Sequence, residues 1–376
     1  MQDRDFLIIG AGIAGATAGF YLSRHGSVAL LERESAPGYH TTGRSAAFYA
    51  PSYGGIHVRP LTIASGPFLR RPPDGFSEAP LMSDRQALYL ARQDQLEALD
   101  RFDAALRPLT PEVRRLGPAE AREVCAALRP GYVAGALLEP ACQDLDVNAI
   151  HQGFLRGLKR HGGTVESDAG ALAIRRDEGM WLVETPGETW RAPVVVNAAG
   201  AWADAVAQLA GVPPVGLRPL RRTIVVVPPP PGFSPRWPVV LDVDEQFYFK
   251  PESGRVLASP ADETPSEPCD AQPEEMDVAI AVDRIQQAAD IPVRRIENKW
   301  AGLRTFAPDR TPVVGFEPGA PGFFWFAGQG GYGIQTSPVM GRMAESLILA
   351  GRLPEELDRF GVTPATYSPA RFRAAD

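Results

Sequence analysis

The chain has 376 residues, a formal net charge of −7, 44% hydrophobic and 22% charged residues. This is the make-up of a globular protein of about two domains whose core needs no staples. It excludes wholesale disorder, and the acid excess excludes a broad surface for nucleic-acid backbones.

Three scattered cysteines, Cys125, Cys142 and Cys269, suit neither a disulfide framework nor a zinc site. A reducing, cytoplasmic setting without a metal is therefore expected. The 35 arginines against 3 lysines (Lys159, Lys250, Lys299) read as the codon bias of a GC-rich bacterial genome. No apolar run approaches the roughly 20 residues of a spanning helix. Asp3 and Asp5 stand before a short apolar run, unlike a signal peptide. The mature chain is expected to start near Met1, with peripheral membrane contact left open.

In chain order, Phe6–Ile9 has strand length, the glycines at 10, 12 and 15 turn the chain, and 16–25 reads as a helix. Gly26 ends that helix, and Val28–Leu31 is a second strand closing on Glu32. A Gly- and Ser-rich segment crosses at 37–45. Strand character follows at 87–91 and helical character at 94–105 and 118–127. An amphipathic helix is expected at 147–161, strands near 164–166, 172–176 and 181–185, and a buried strand turning into a helix at 194–200. The stretch 222–259 is strand-rich around the prolines of 228–231, which read as a stiff surface turn. A helix at 280–289, a strand at 323–327, a Gly-rich turn at 328–333 and a helix at 338–349 complete the chain. The predicted fold is α/β with an α+β second domain. A Rossmann-like domain is expected from 1–45, 141–216 and 297–376, and a discontinuous antiparallel-sheet domain from 46–140 and 217–296.

In Gly10-x-Gly12-x-x-Gly15 the first glycine makes the turn, the second admits a pyrophosphate and the third lets the helix pack on the strand. The helix N-terminus offers N–H groups to the phosphates. Glu32, twenty residues after Gly12, is placed to accept ribose hydroxyls. Strand, glycines, helix and acid together predict an adenine dinucleotide. The crossing segment that follows at once, and the second Gly-rich strand-to-helix turn at 328–333, favour FAD over NAD.

These segments, with Pro37-Gly38-Tyr39-His40, Thr42–Ala47 (42–47), 196–202, Phe247-Tyr248, Trp300-Ala301-Gly302-Leu303-Arg304 and Gln329-Gly330-Gly331-Tyr332-Gly333-Ile334-Gln335-Thr336-Ser337, resemble the D-amino-acid-oxidase-type family of flavoproteins over nearly the whole length. Within it they look most like the bacterial D-arginine dehydrogenases. The resemblance implies a glutathione-reductase-type FAD domain. It also implies noncovalent FAD and oxidation of a D-amino acid by hydride transfer from the α carbon to flavin N5. The imino acid then hydrolyses to a 2-keto acid and ammonia. Arg222 and Arg304 would clamp the substrate carboxylate, since a guanidinium binds a carboxylate bidentately and keeps its charge. Of Arg221 and Arg222, the register decides which faces the site, and Arg222 is favoured because it opens a strand. Tyr53, Tyr248 and Gln335 would complete the catalytic set. The cofactor residues carried over are Gly10, Gly12, Ile13, Ala14, Gly15, Glu32 and Arg33, then Thr42, Arg44, Ser45 and Ala46, then Gly200, Trp202 and Gly302. Gly330, Gly331, Tyr332, Gly333, Ile334, Gln335 and Thr336 close the set. His40 is a candidate with an equally good structural explanation.

Two departures bear on the substrate. The acid that holds a cationic side chain in the D-arginine dehydrogenases falls at Ala87, and a pocket histidine falls at Phe48. With Gly331 these define a pocket expected to be apolar and to prefer neutral or aromatic D-amino acids. The lysine that promotes oxygen reduction in related oxidases aligns to Val256, with Lys250 on the face of Tyr248. A dehydrogenase passing electrons to a quinone, dye or other acceptor is favoured. The alternatives are a flavin oxidase of secondary amines or N-methyl amino acids releasing hydrogen peroxide, a nicotinamide dehydrogenase, and a non-catalytic flavin binder.

Overall fold

The structure is a computed structural model and describes residues 1–373; the end of the expected segment 297–376 lies outside the described residues. Two large sheets organise it. The six-stranded sheet runs in the order Thr164–Glu166, Val28–Leu31, Phe6–Ile9, Val194–Asn197, Phe323–Ala327 and Val313–Phe316. The first five are parallel and the last is antiparallel. Both faces are covered, which explains the unbroken apolar runs. Along Phe6–Ile9, Phe6 and Ile8 join the core under the helices Ile13–Leu22, Val147–Arg160 and Gly333–Ala350. Leu7 and Ile9 join the core on the other face, beneath a four-stranded sheet and the helix Ala203–Leu209.

The second sheet is ten-stranded and mostly antiparallel, with one parallel pair, Val239–Asp242 beside Ala87–Ala91. One face packs on the helices Glu275–Ala288 and Pro118–Val124. The other face carries Ile224, Tyr248 and Leu257 toward the dinucleotide body. The strand Asn298–Phe306, which the sequence grouped with the dinucleotide segments, pairs with Arg218–Val227 over nine residues and so belongs to this sheet. Its far end pairs with Gln329–Gly330 and joins the sheet to the last strand and helix of the other body. A small sheet of Phe48–Tyr49, Met82–Asp84 and Gln143–Leu145 lies between.

The first helix starts at Ile13 rather than Ala16, directly on the glycine turn, and the helix expected at 280–289 begins at Glu275. The helix Arg59–Arg70 has no counterpart in the sequence reading, because Pro60, Gly66 and Pro67 interrupt its pattern; Pro60 sits in its first turn, where no N–H is missed.

Candidate active site

A groove of about 280 Å³ runs along the C-terminal ends of the parallel strands, from Glu32 and Trp202 to Gly12 and Thr42. A second space of about 130 Å³ shares Gly12, Thr41, Thr42, Ala198 and Gly200 with it and continues to Arg222, Tyr248 and Arg304. Together they form one long slot of the shape a dinucleotide needs.

The first part is built largely from backbone. A Cβ at Gly15 would stand 1.8 Å from the Gly10 carbonyl oxygen, so only glycine lets the helix start against the strand. Glu32 is buried, and its two oxygens accept from Ala11 N at 2.8 Å and Glu34 N at 3.0 Å. Its carboxylate is thereby fixed at the groove wall where a ribose would lie. Thr42 Oγ1 accepts from Ile13 N at 3.0 Å and pins the crossing segment to the helix start. Arg33 lies over the Trp202 ring, 4.3 Å from its centroid. Behind the turn, buried His151 shares a hydrogen bond between Nε2 and the Ala11 carbonyl at 2.9 Å; burial holds its pKa below the ordinary value, so the ring is neutral and the nitrogen donates. His40 pairs with Glu34 through Nε2 at 2.9 Å, and its Nδ1 is buried without a partner in the wall of the groove. An orphaned polar atom and a glycine-lined cradle fit a bound dinucleotide.

Arg44 lines the slot as well, with its guanidinium held by the large sheet. Its guanidinium ties to Asp270 and donates to Ala271 O at 2.9 Å and Ala301 O at 3.1 Å, joining the crossing segment to the large sheet. Ser45, Ala46 and Gly302 line the slot beside it, as do Ile13, Ala14, Gly330, Gly331, Gly333 and Ile334. Gln335 and Thr336 do not. Thr336 Oγ1 donates back to Tyr332 O at 2.9 Å, and Gln335 Oε1 accepts from Ala50 N at 3.1 Å with Nε2 unpartnered.

The far end is made by strand register. Arg222 stands opposite Gly302 and Leu220 opposite Arg304. Arg222 and Arg304 are therefore diagonal neighbours on one face of the sheet. Arg221 points to the other face, where it pairs with Glu274 and Asp277. Arg222 is buried; its Nε donates to Asp262 O at 2.7 Å and its Nη2 reaches Glu263 at 3.5 Å. Burial, and then the Arg304 cation, pull its pKa below the ordinary arginine value. Arg304 has no carboxylate partner among the described residues, and its Nη1 donates to Tyr53 Oη at 2.8 Å. Gly331 leaves the backbone open beside it, since a Cβ there would stand 2.9 Å from the guanidinium carbon. Tyr248 is buried in the same wall. Two cations facing one space favour an anion between them.

The slot and the paired arginines agree with the family comparison, in which the profile described as "FAD dependent oxidoreductase" (DAO) matches residues 5–347. The chain belongs to the DAO family of FAD-dependent oxidoreductases. Mouse mitochondrial dimethylglycine dehydrogenase is 24% identical over 99% of this chain, which spans only 46% of that protein. Glycine oxidase of Geobacillus kaustophilus is 24% identical over 96% of both chains. Its crystal structure superposes with a TM-score of 0.81 over 93% of this chain and 95% of the other. L-proline dehydrogenase from P. horikoshii superposes at 0.82, with 18% identity over 99% and 98%. These solved structures share the fold, including the mixed sheets. FAD is thus the cofactor of this DAO-family protein, and Ser45 and Ala46 are placed in the slot between its two bodies.

Two expectations at the substrate end, Ala87 and Val256, need correction. Ala87 is fully covered and lines neither part of the slot, while the residue directly across the ladder from it is a carboxylic acid, Glu139. Phe48 packs on Tyr53 with ring centroids 5.8 Å apart. Val256 faces the helix side of the sheet; the residue facing Ser45, Ala46 and Trp300 is Leu257. Lys250 does reach that space but is bound to Asp144 at 2.8 Å and Glu252 at 2.9 Å. Glu139 and His151 were missed by sequence reasoning, and only their strand and helix neighbourhoods could have pointed to them. No helix among the described residues is long and apolar enough to cross a membrane.

Proposed function

We propose that this protein oxidises an α-amino acid, of D configuration and with a neutral, apolar or aromatic side chain, to the imino acid, which water converts to a 2-keto acid and ammonia. The observation carrying this reading is the pair Arg222 and Arg304 on one sheet face at the end of the dinucleotide slot. Bound there, FAD supplies a two-electron acceptor for the hydride of the substrate α carbon. The arginines hold the carboxylate, with Tyr53 fixing the Arg304 fork at 2.8 Å. Tyr248 and the Gly331 backbone complete the wall against which the amino group is set. The buried surroundings exclude water and strengthen these contacts. Positioning supplies most of the catalysis, and no side chain is assigned as a general base.

The apolar lining beside the arginines, with Ala46, Ile224, Tyr248 and Leu303, supports an uncharged side chain. The neutral lining at Leu257, and the commitment of Lys250 to two carboxylates, support a dehydrogenase that reduces a quinone or dye rather than oxygen. A cytoplasmic place, and a division into a dinucleotide body and a substrate body, belong to the same reading. Oxidation of a secondary or N-methyl amine is the second reading, favoured by the likeness to dimethylglycine dehydrogenase.

Anaerobic mixing of the yellow holoprotein with D-amino acids, L-amino acids and N-methyl amino acids tests the substrate reading. Bleaching of the flavin by apolar D-amino acids alone is expected. Bleaching by N-methyl amino acids alone selects the second reading, and bleaching by L-enantiomers overturns the assigned handedness. A flavin bleached by none of them overturns both.

A further inference from the structure

Glu139 ends the strand Gly135–Glu139 and is fully buried, with no ion-pair partner among the described residues. A buried carboxyl destabilises the fold unless its oxygens are hydrogen-bonded. Here each oxygen is: Oε1 accepts from Ser52 N at 3.3 Å, and Oε2 accepts from Ser52 Oγ and from Tyr89 Oη at 3.2 Å. The Ser52 and Tyr89 hydroxyls also lie 2.7 Å apart. Burial pushes the Glu139 carboxyl above the usual carboxylate range. An apolar side chain of the same volume would fill this space at lower cost, but it would give no direction to the chain it touches.

The direction is what the neighbouring residue needs. Two of the three hydrogen bonds hold Ser52, and the next residue, Tyr53, accepts the Arg304 hydrogen bond. Tyr53 reaches Arg304 from a turn with no regular secondary structure. Its other fixings are Ala50 N to Gln335 Oε1 at 3.1 Å, Arg59 Nε to Ser52 O at 2.9 Å, and Tyr53 N to Ala50 O at 3.0 Å. Among these, only Glu139 grips both the backbone and the side chain of the residue before the tyrosine. It also ties that turn to a strand of the sheet that carries the arginines.

We propose that Glu139 is a positioning residue for the carboxylate clamp: by holding Ser52 at two atoms it fixes the turn that brings Tyr53 to Arg304. This rests on the amino-acid reading above. No bond to substrate is made or broken by Glu139 itself.

The test compares wild-type holoprotein with Glu139→Ala and Glu139→Gln. Affinity for propionate is read from the perturbation of the flavin spectrum, and KM and kcat are measured with the best amino acid. In Glu139→Ala the expected result is a KM and a propionate Kd raised at least tenfold, with kcat changed less than threefold. Glu139→Gln, whose amide oxygen still accepts from Ser52, recovers most of that loss. A merely structural acid would lower Tm and leave KM in place. A folded Glu139→Ala whose KM and propionate Kd stay within twofold of wild type overturns the proposal, as does a Gln variant no better than Ala. If Glu139→Ala does not fold, Ser52→Ala removes the hydroxyl arm alone. A KM raised threefold or more then supports the proposal and an unchanged KM overturns it. Wild-type protein that binds neither propionate nor any amino acid overturns the amino-acid reading and this inference together; wild-type binding with variants that bind equally well overturns this inference alone.

Discussion

At its Glu32 end the slot is made by backbone and at its Arg222 end by side chains. The first end takes its turn, helix start and acid from residues 6–42, with Thr42 returning to Ile13 and the segment around Trp202 closing the other wall. The second aligns Arg222, Tyr248 and Arg304 through the register of one sheet and brings Tyr53 to them from a separate turn. A backbone site tolerates almost no added atoms, whereas a side-chain site can be dismantled one group at a time while the fold stands.

Gly15→Ala should show the first half of that contrast most strongly. Its methyl would lie 1.8 Å from a backbone oxygen, so the variant is expected to hold no FAD and to melt well below wild type. A variant purified with stoichiometric flavin would break the comparison.

Arg304→Met should leave FAD content unchanged and lower kcat/KM for amino acids. Losing one partner of a buried charged contact costs about 2–4 kcal/mol, roughly 30- to 1,000-fold. Arg221→Met, one residue from Arg222 but on the other face, is expected to change kcat/KM less than about threefold, because its partners Glu274 and Asp277 lie away from the slot. Equal losses in the two variants would mean that strand parity does not define the site.

The backbone end also carries a pH signature. Burial lowers the His151 pKa below 6.5 in the folded chain. The unfolded chain then binds the extra proton first as pH falls, so stability present above 6.5 is lost below it. Flavin release on acidification from neutral pH is expected to begin below pH 6.5, by about 1.4 kcal/mol per pH unit at most. In His151→Gln the dependence should flatten; an identical profile would assign it elsewhere.

The smallest effect on activity is expected from Ala87→Glu, because Ala87 is fully covered and lines no part of the slot. The D-arginine to D-leucine ratio of kcat/KM should stay within about twofold. The buried acid set directly across the ladder from Glu139 lowers stability by about 3–5 kcal/mol. A ratio raised about tenfold or more would show that substrate side chains do approach this strand.

The same contrast explains what could be read from the sequence. Consecutive residues with a fixed spacing, Gly10 to Glu32, state their geometry outright, and the Gly-rich turn at 328–333 does nearly so. The sequence favours Arg222 over Arg221 as the residue opening a strand; the strand begins at Arg218, and its period-two alternation is what separates the two. The one-residue shift between Val256 and Leu257 shows how little error that parity allows. Asn298–Phe306 reads in sequence with the dinucleotide segment that follows it, yet completes the sheet of the segment before it, a pairing set by partners about eighty residues earlier. Glu139 looks like any acid at a strand end; only the fold reveals that it meets Ser52 and Tyr89. The helix Arg59–Arg70 was hidden by prolines that its packing accommodates.

The ion pairs of Lys250 have a practical consequence. With that amine buried between Asp144 and Glu252, and Lys299 held by Glu275, the exposed Lys159 is the readiest lysine for acylation. It lies near the end of the helix Val147–Arg160, away from the arginines of the slot. Among the lysines, an amine-reactive support or dye should therefore favour that helix, giving a tethered preparation whose reaction chamber stays open.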